Sequence, residues 1–408
     1  MNDILKPVTD WEMQGMVKQL AARNMSVELV GNGTKRTAGR PVNASMAMTT
    51  VGMRGISMYE PTELVMSARA GTPLSQIEVE LAGRGQMLAF EPIDLGPALG
   101  SYAGSQTIGA VFACNLSGSR RICAGAARDH VLGVKGVNGR AEIFKSGGRV
   151  MKNVTGLDVA RGLAGSWGTL AAITDVTFKV LPMPDDTATL VFTGLTDDLA
   201  VELMCAAMGS PYEISGTVHL PQTLAARLLH DELRAAGRSL TALRLENFPR
   251  SVAYRKTKLK ELLKVYGPPL ELDQDSSMKF WGELRRLSVM PFGSQTYLWK
   301  ISTAPKTAPL LVNAIRKHMD NVETLYDWSG GLVWLEIPAS ADAGAADIRR
   351  ALATHGGYAT LVRADAAVRH SVDVFQPLNP TVERLSRGLK AAFDPANVFN
   401  PGRMYASI

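Results

Sequence analysis

Hydrophobic and polar positions alternate in short runs through the first part of the chain. The capping-box sequence TDWE at Thr9–Glu12 predicts the start of a helix whose apolar positions recur at helical spacing. The run SVELV then predicts a strand, and PLSQIEVELAGR predicts a second helix that ends at Gly85. A hairpin is predicted at Asn138–Gly139, and the apolar run TLAAITDVTFKVLP predicts a long strand that closes this part before Pro184.

A different pattern begins near residue 186, where strand-like and helix-like runs alternate regularly. The runs QTYLWKIS, VETLYDW, LVWLEIP and YATLVRA predict four strands, with helices predicted over 307–319 and 342–354. This β-α-β-β-α-β order is ferredoxin-like and predicts an antiparallel sheet covered by helices. The pattern therefore predicts an α+β fold with two domains, 1–184 and 185–365, and a C-terminal segment over 366–408.

Composition and charge exclude several classes of protein. The three cysteines form no C-x-x-C pair and the six histidines are scattered, so neither a disulfide framework, an iron–sulfur cluster nor another metal site is predicted. The net charge is +6, and the densest basic run, RKTKLKELLK, looks like the solvated face of a helix, so nucleic acid is not an expected partner. The N-terminus lacks a signal peptide and no apolar run is long enough to cross a membrane, so a cytoplasmic protein is expected.

Candidate chemistry begins with the glycine-rich stretch VGNGTKRTAGR at residues 30–40. It departs from the dinucleotide fingerprint because the sixth position is Arg36, and it lacks the Gly-Lys pair of a nucleotide-triphosphate loop. Its glycines would still let backbone N–H groups converge on an anion, with Thr34 adding a hydroxyl and Lys35 a charge. A plain turn between two strands could contain the same residues, so an anion-binding loop and a structural turn both stay open.

Two further segments are rich in small residues. In GSQTIGAVFACNLSGSRR, at 104–121, a short helix that starts near Thr107 would point its N–H groups at a phosphate. In GGRVMKNVTGLDVARGLAGSWGTLAAIT, at 147–174, the spacing fits neither helix nor strand and predicts shaped turns. The alternative for the second of these is a glycine-rich surface loop, although a long irregular loop in a compact domain usually has a function.

These motifs carry a resemblance to a known family. The sequences TIGA, KNVTGLD and GSWGTLA and the tail FDPANVFNPGRMY resemble those of flavoproteins with a vanillyl-alcohol-oxidase-type, or PCMH-type, FAD-binding domain. The resemblance covers most of residues 1–182 and the tail, and it is greatest to the FAD-binding subunits of bacterial glycolate oxidases. It implies a two-subdomain FAD-binding domain over 1–184, a cap domain, and a C-terminal segment that returns to the FAD domain.

The resemblance implies FAD as the cofactor. In this family the first glycine loop wraps the pyrophosphate, and the segment at 104–121 completes that site and runs along the isoalloxazine. The third segment holds the adenosine and ribitol side. Some members attach FAD covalently through a histidine beside the first loop, and because Thr34 stands at that position we expect non-covalent FAD. The implied cofactor-binding residues are Gly31, Asn32, Gly33, Thr34, Lys35, Gly104, Ser105, Thr107, Ile108, Gly109, Ala113, Asn115, Gly118, Arg120, Arg121, Val154, Thr155, Gly156, Asp158, Gly165, Gly168, Thr169, Ile173 and Asn400.

Catalytic residues are not identified by the sequence. Catalytic relatives carry clustered histidines, a glutamate and a metal on the second domain, and the corresponding region here offers only His370 and Arg363 as weak candidates. The resemblance therefore implies a subunit of a glycolate oxidase complex that oxidises a small 2-hydroxy acid. Its partners would be a catalytic FAD subunit and an iron–sulfur subunit, which could place it at the inner face of the membrane. A self-sufficient FAD-dependent 2-hydroxy acid dehydrogenase and a non-catalytic flavin-fold scaffold are the alternatives.

Overall fold

Two units make up the chain in the computed structural model, which describes residues 4–149 and 156–408. The first unit contains the described residues of Met1–Ser117, Gly125–Met183 and Pro377–Ile408, and the second contains Gly118–Ala124 and Pro184–Gln376. The last segment of the first unit thus begins at Pro377, later than the boundary expected at 366. It stays a prediction that the first unit is the FAD-binding domain and that the second unit is the cap domain.

The α-helices of the described residues are short. They are α1 (Asp10–Ala22), α2 (Leu74–Ala82), α3 (Ile108–Ala113), α4 (Arg121–Ala124), α5 (Ala127–His130), α6 (Val159–Leu163), α7 (Asp197–Met208), α8 (Gln222–Ala225), α9 (Asp231–Ala235), α10 (Pro249–Leu262), α11 (Gln274–Arg285), α12 (Ala308–Arg316), α13 (Ala345–His355), α14 (Ala366–Ser371) and α15 (Pro380–Phe393). None of the helices in this part of the chain is long and apolar enough to cross a membrane.

The first unit contains three sheets. β1, β3 and β2 form a parallel sheet, β10 pairs with β6, and an antiparallel sheet has the order β4-β5-β9-β7-β8. The predicted hairpin is present, because β7 and β8 pair across the turn that follows Asn138. The strands are β1 (Ile4–Leu5), β2 (Val27–Val30), β3 (Met46–Thr49), β4 (Ile56–Glu60), β5 (Val65–Arg69), β6 (Gln86–Met87), β7 (Val131–Asn138), β8 (Ile143–Gly147), β9 (Ala171–Lys179) and β10 (Leu181–Pro182).

Helix α1 shows how the sequence builds the core of the first unit. Thr9 is its N-cap, and the Thr9 hydroxyl accepts a hydrogen bond from the Glu12 amide at 3.1 Å, as the capping-box sequence predicts. Its residues Met13 and Val17 are fully buried, and they belong to a core cluster that includes Phe399 from the chain end. The C-terminal segment is therefore part of the core of this unit.

The second unit is built on one eight-stranded antiparallel sheet, with the order β14-β11-β13-β12-β16-β17-β15-β18. The predicted ferredoxin-like arrangement is confirmed for β15-α12-β16-β17-α13-β18. The same order recurs in β11-α7-β12-β13-α10-β14, so the sheet consists of two such halves joined through β12 and β16. The strands are β11 (Asp186–Thr193), β12 (Ile214–Leu220), β13 (Leu240–Asn247), β14 (Leu270–Leu272), β15 (Thr296–Ser302), β16 (Glu323–Asp327), β17 (Leu332–Pro338) and β18 (Tyr358–Arg363).

Candidate cofactor-binding cleft

A cleft opens in the first unit beside the end of strand β2. The loop that follows β2, helix α3, the turn before β9 and the chain end all contribute to it. Of the predicted site residues, the cleft brings together Gly31, Asn32, Gly33, Thr34, Lys35, Gly109, Ala113, Gly168, Ile173 and Asn400. These residues come from segments far apart in the sequence, so the fold joins the three glycine-rich stretches and the tail at one place.

The loop after β2 has backbone amides without acceptors. Among the described residues, none accepts a hydrogen bond from the amides of Asn32, Gly33, Thr34 or Lys35. The loop is fixed from other atoms, since the Asn32 side-chain amide donates to the Ser105 carbonyl at 3.0 Å. Gly33 has a φ of +75°, a conformation that favours glycine. Successive unpaired amides of this kind form a nest for an anion.

Lys35 adds a buried positive charge to this loop. Lys35 is buried, with only 6% of its surface exposed. Its Nζ donates hydrogen bonds to Thr34 Oγ1 and to Gln106 Oε1, each at 3.1 Å. Burial lowers the pKa of Lys35, while Cys114 and Asp94 act in the opposite direction. In the part of the chain that the structure describes, no carboxylate lies within ion-pair distance of this ammonium. Burying a cation whose hydrogen-bond partners are all neutral costs folding free energy unless an anion pairs with it.

Arg403 holds the far side of the loop. It is buried, and its guanidinium donates to the carbonyl of Lys35 at 2.8 Å and to that of Arg36 at 3.3 Å. Burial lowers the pKa of Arg403, and Glu28, 3.6 Å away, raises it. Arg403 thus fixes the loop through its C=O groups. The loop amides stay available to a ligand in the cleft.

Asn400 connects the chain end to two walls of the cleft. Its Oδ1 accepts from the Leu29 amide at 2.8 Å, and its Nδ2 donates to the Trp167 carbonyl at 2.8 Å. Gly168 has a φ of +69°, and a Cβ at this position would lie 3.0 Å from Asn400 Nδ2. The turn therefore needs glycine here, both for its backbone conformation and for its close approach to Asn400.

Helix α3 differs from its prediction. The expectation that its first amides face a phosphate is wrong for Ile108 and Gly109, because these amides donate to the carbonyls of Thr72 and Ala70 at 3.0 and 2.9 Å. Gly109 is needed for close packing, since a Cβ there would lie 2.7 Å from Ala70 Cβ. The Thr107 hydroxyl, by contrast, is buried and has no hydrogen-bond partner among the described residues.

Several predicted residues support the cleft without lining it. The Gly104 amide donates to Asp94 at 2.6 Å, and Asn115 accepts from the Arg128 amide at 3.0 Å. In the turn before β9, the Gly165 amide donates to the Phe112 carbonyl and the Thr169 hydroxyl donates to the Ser166 carbonyl. Ser105 contributes the carbonyl that positions Asn32, and Ile108 is fully buried.

Other predicted residues lie elsewhere. Gly118, Arg120 and Arg121 belong to the second unit, and they are not among the residues that line the cleft. The Arg120 Nε donates to Glu246 at 2.9 Å. A contact of these three residues with FAD stays a prediction.

In the third segment, Val154 and Thr155 lie outside the described residues, and Gly156 is exposed. Asp158 caps α6 by accepting from the Arg161 amide at 3.1 Å. Neither described residue lines the cleft, so a contact of this segment with the adenosine side stays a prediction.

The weak catalytic candidates both lie in the second unit. Arg363 donates to Glu336 at 3.0 Å and to the Thr296 hydroxyl at 2.6 Å, so its charge is already compensated. His370 is an exposed residue of α14. Among the described residues no group of three or more His, Cys, Asp and Glu is placed to hold a metal ion.

Sequence reasoning missed some residues of the cleft. Arg403 stands in the NPGR motif of the tail and could have been identified from it, whereas no motif indicated Cys114. Gln106, which binds Lys35 from outside the cleft lining, had no sequence signal either. Trp167 has a φ of +54° and lies in the GSWGT motif. That motif could have identified it as a residue of the cleft.

Comparison with known proteins identifies the family. A family model described as "FAD binding domain" matches residues 3–147. The glycolate oxidase subunit GlcE of Escherichia coli K12 is 34% identical over 393 residues, which cover 96% of each chain. The chain belongs to the GlcE family. The resemblance and the cofactor predicted from the motifs are thereby confirmed, while non-covalent attachment stays a prediction.

More distant relatives match part of the sequence, whereas the folds of known structures match nearly all of the chain. The D-lactate dehydrogenase of Archaeoglobus fulgidus is 28% identical over 190 residues, which are 46% of this chain and 40% of that protein. A solved structure of p-cresol methylhydroxylase covers 98% of this chain and 88% of its own, with a TM-score of 0.71 and 14% identity. One of alkyldihydroxyacetonephosphate synthase has a TM-score of 0.69, 14% identity and coverage of 98% and 76%. Their likeness confirms the PCMH-type α+β fold.

Proposed function

We propose that this chain is the FAD-binding subunit of a glycolate oxidase complex, an FAD-dependent oxidoreductase that oxidises glycolate to glyoxylate. The single observation that carries the proposal is the loop after β2 in a member of the GlcE family. Four of its amides have no acceptor among the described residues, and together with the buried Lys35 they line one cleft. Relatives named for lactate and 2-hydroxyglutarate oxidation support the same class of substrate, a small 2-hydroxy acid.

The residues of the cleft fit FAD. The amides of Asn32–Lys35 and the Lys35 ammonium would hold the pyrophosphate, and the unpartnered Thr107 hydroxyl would donate to a polar group of the cofactor. Asn400 and Gly168 would fix the wall against which the flavin part lies. Asp158 would act through the start of the helix α6 that it caps, and Thr169 through the turn that it stabilises. When bound, FAD supplies the acceptor for the two electrons released from the acid.

The complex would contain further subunits. Two of the relatives are named as subunits of glycolate oxidase, GlcE and GlcD, which supports a multi-subunit assembly. We assign substrate oxidation to a catalytic FAD subunit and onward electron transfer to an iron–sulfur subunit. In this arrangement the chain would lie at the inner face of the membrane through its partners.

An absorption spectrum of the isolated chain tests the proposal. We expect a flavin spectrum, release of FAD into the supernatant on acid precipitation, and bleaching by glycolate only when the catalytic subunit is added. Bleaching by glycolate without a partner would instead establish a self-sufficient 2-hydroxy acid dehydrogenase. A colourless chain that binds no added FAD would contradict the proposal and leave a scaffold subunit.

A further inference from the structure

Helix α15 keeps its apolar side chains outside the core of the first unit. Val382, Leu385 and Leu389 are 41%, 64% and 43% exposed. Lys390 is the one buried residue of this helix, all of whose residues the structure describes. A helix in a protein is normally stabilised by packing its apolar face against other elements. The apolar face of α15 has no such cover within the described part of the chain.

Polar bonds on another side of α15 hold the helix on the first unit. The Lys390 Nζ donates to the carbonyls of Thr169 and Phe399 at 2.7 and 3.0 Å. The helix begins with a cap, since Asn379 Oδ1 accepts from the Val382 amide at 2.9 Å. The exposed apolar side chains are therefore not needed to position α15, and they are available to another molecule.

The spacing of these residues indicates what kind of surface covers them. Val382, Leu385, Leu389 and the exposed Ala392 follow one another at alternating intervals of three and four residues. This is the spacing of a seam along which one helix packs against a second helix. We call these four residues the α15 seam. Its pattern favours a helical partner.

Gly388 provides an independent observation beside the α15 seam. It lies in the interior of the helix, three residues after Leu385, where glycine is unfavourable. A Cβ at Gly388 would have no atom within 4 Å, so packing inside the described chain does not require glycine here. Without a side chain, this position lets a second helix approach the backbone of α15 closely.

The charge beside the α15 seam favours an acidic partner. Arg384, one turn before Gly388, has no carboxylate at ion-pair distance among the described residues, and Arg387 pairs with Glu383 of the same helix at 2.6 Å. In a symmetric dimer the same surface of both copies would meet, so two uncompensated Arg384 side chains would be brought towards each other. A helix with acidic residues at its edge complements Arg384 better than a second copy does.

We propose that the α15 seam docks a helix of the catalytic FAD subunit, and that this helix places apolar residues on the seam and an acidic residue beside Arg384. The identity of the partner rests on the proposed function, whereas the helical, apolar and acidic character of the docking element is argued from α15 itself. The C-terminal segment thus completes the core of the first unit through Phe399 and presents α15 to the partner subunit.

Association of the FAD-loaded chain with the purified catalytic FAD subunit tests this surface, with sedimentation velocity as the readout. Leu385→Asp should weaken association about 100-fold, because it would bury a carboxylate in an apolar seam. Arg384→Glu should weaken association about threefold or more, and this effect should shrink at high salt. Leu310→Asp, the same change at an exposed leucine of α12, is the matched control and should leave association unchanged.

Gly388→Leu separates docking from a structural role of the glycine. Leucine suits a helix interior better than glycine, so the thermal stability of the isolated chain should stay the same or rise. The added side chain should keep the partner helix away, so association should weaken by about tenfold or more. Unchanged association in Gly388→Leu would show that no helix approaches this side of α15.

Several further outcomes would overturn the surface. They are unchanged association in Leu385→Asp, a dimer of the isolated chain that Leu385→Asp dissociates, and binding to phosphatidylglycerol vesicles that the same variant loses. All variants should keep their flavin absorbance, because the α15 seam does not line the cofactor cleft. Association that survives Leu385→Asp contradicts this surface alone, whereas an unsubstituted chain that binds no catalytic subunit contradicts the proposed complex as well.

Discussion

Two glycine-rich segments of the first unit resemble each other in sequence and differ in what their backbones do. Among the described residues, none accepts a hydrogen bond from the amides of Asn32, Gly33, Thr34 or Lys35 in the loop after β2, and Arg403 binds carbonyls of the same loop. At the start of α3, the amides of Ile108 and Gly109 donate to the carbonyls of Thr72 and Ala70. The first segment leaves its amides for a ligand, which we propose to be the pyrophosphate of FAD, whereas the second packs closely against Ala70.

Glycine therefore has two different functions in these segments, and the sequence alone does not distinguish them. Gly33 provides a left-handed backbone that turns amides toward a cleft, whereas Gly109 provides room for Ala70. Only the hydrogen-bond partners of the neighbouring amides reveal which purpose applies. Variants of the two segments should therefore affect FAD binding to different degrees.

The largest effect is expected from Gly31→Ala. A Cβ at Gly31 would lie 2.2 Å from the Thr107 hydroxyl oxygen, so the Thr107 side chain or the loop must shift. We expect FAD affinity to fall about 100-fold, measured by quenching of flavin fluorescence. Gly162→Ala, where the added Cβ has nothing within 4 Å, is the control. A double variant with Thr107→Ala should recover part of the affinity, and an absence of recovery would show that the collision is not the cause.

Lys35→Met should have the next largest effect. It should lower FAD affinity and raise the thermal stability of the flavin-free protein. It removes the buried cation, so FAD affinity should fall about 30-fold in equilibrium dialysis. The flavin-free protein should gain thermal stability because a buried charge without an anionic partner is lost. Lys18→Met, at an exposed position of α1, should change neither quantity. Loss of stability together with unchanged affinity would make Lys35 a structural residue.

The pH dependence of the flavin-free protein sharpens this prediction. The pKa of Lys35 is lowered in the folded state from its ordinary 10.5, so between the two values the unfolded chain binds more protons than the folded one. Stability relative to Lys35→Met should therefore rise as pH increases through this window, while FAD affinity should fall as Lys35 loses its charge. Denaturant melts of both proteins at several pH values test the sign, and parallel curves would contradict it.

Asn400→Ala should weaken FAD binding by about tenfold, because it removes the three hydrogen bonds that join Leu29 to the Trp167 turn. Asn400→Asp is the comparison variant, because it keeps an oxygen for the Leu29 amide and loses the donor to Trp167. An intermediate FAD affinity for Asn400→Asp is expected. Full affinity of both variants would show that the chain end does not shape the cleft.

Thr107→Ala should have the smallest effect, a loss of about threefold in FAD affinity, because only one neutral hydroxyl is removed. Thr107→Ser retains the hydroxyl and should bind FAD like the parent protein. Equal affinity of the alanine and serine variants in the same fluorescence titration would show that this hydroxyl does not reach the cofactor.

The sequence predicted the fold more fully than the site. Thr9 as a helix cap, the Asn138 hairpin and the ferredoxin-like order of β15–β18 depend on local patterns, and all three are confirmed. The matching order of β11–β14 was missed, because β14 is only three residues long and gives little periodicity.

For the site, motifs identified the segments but not the function of each residue in them. The resemblance implied a contact of Arg120 with FAD, which stays a prediction, whereas its ion pair with Glu246, which is distant in sequence, was not deduced. Long-range ion pairs of this kind leave no local signal. Arg403 shows the reverse case, since its motif was recognised but its bonds to the Lys35 loop could not be deduced.

The central claim is that the loop at Gly31–Lys35 holds the pyrophosphate of FAD, and comparison of FAD with riboflavin tests it most directly. Riboflavin carries the same ring system without phosphate, so we expect the chain to bind FAD at least about 100-fold more tightly. In Lys35→Met this ratio should shrink by about tenfold or more, while riboflavin affinity stays the same. Equal affinities for the two flavins, or a ratio that Lys35→Met leaves unchanged, would contradict the claim.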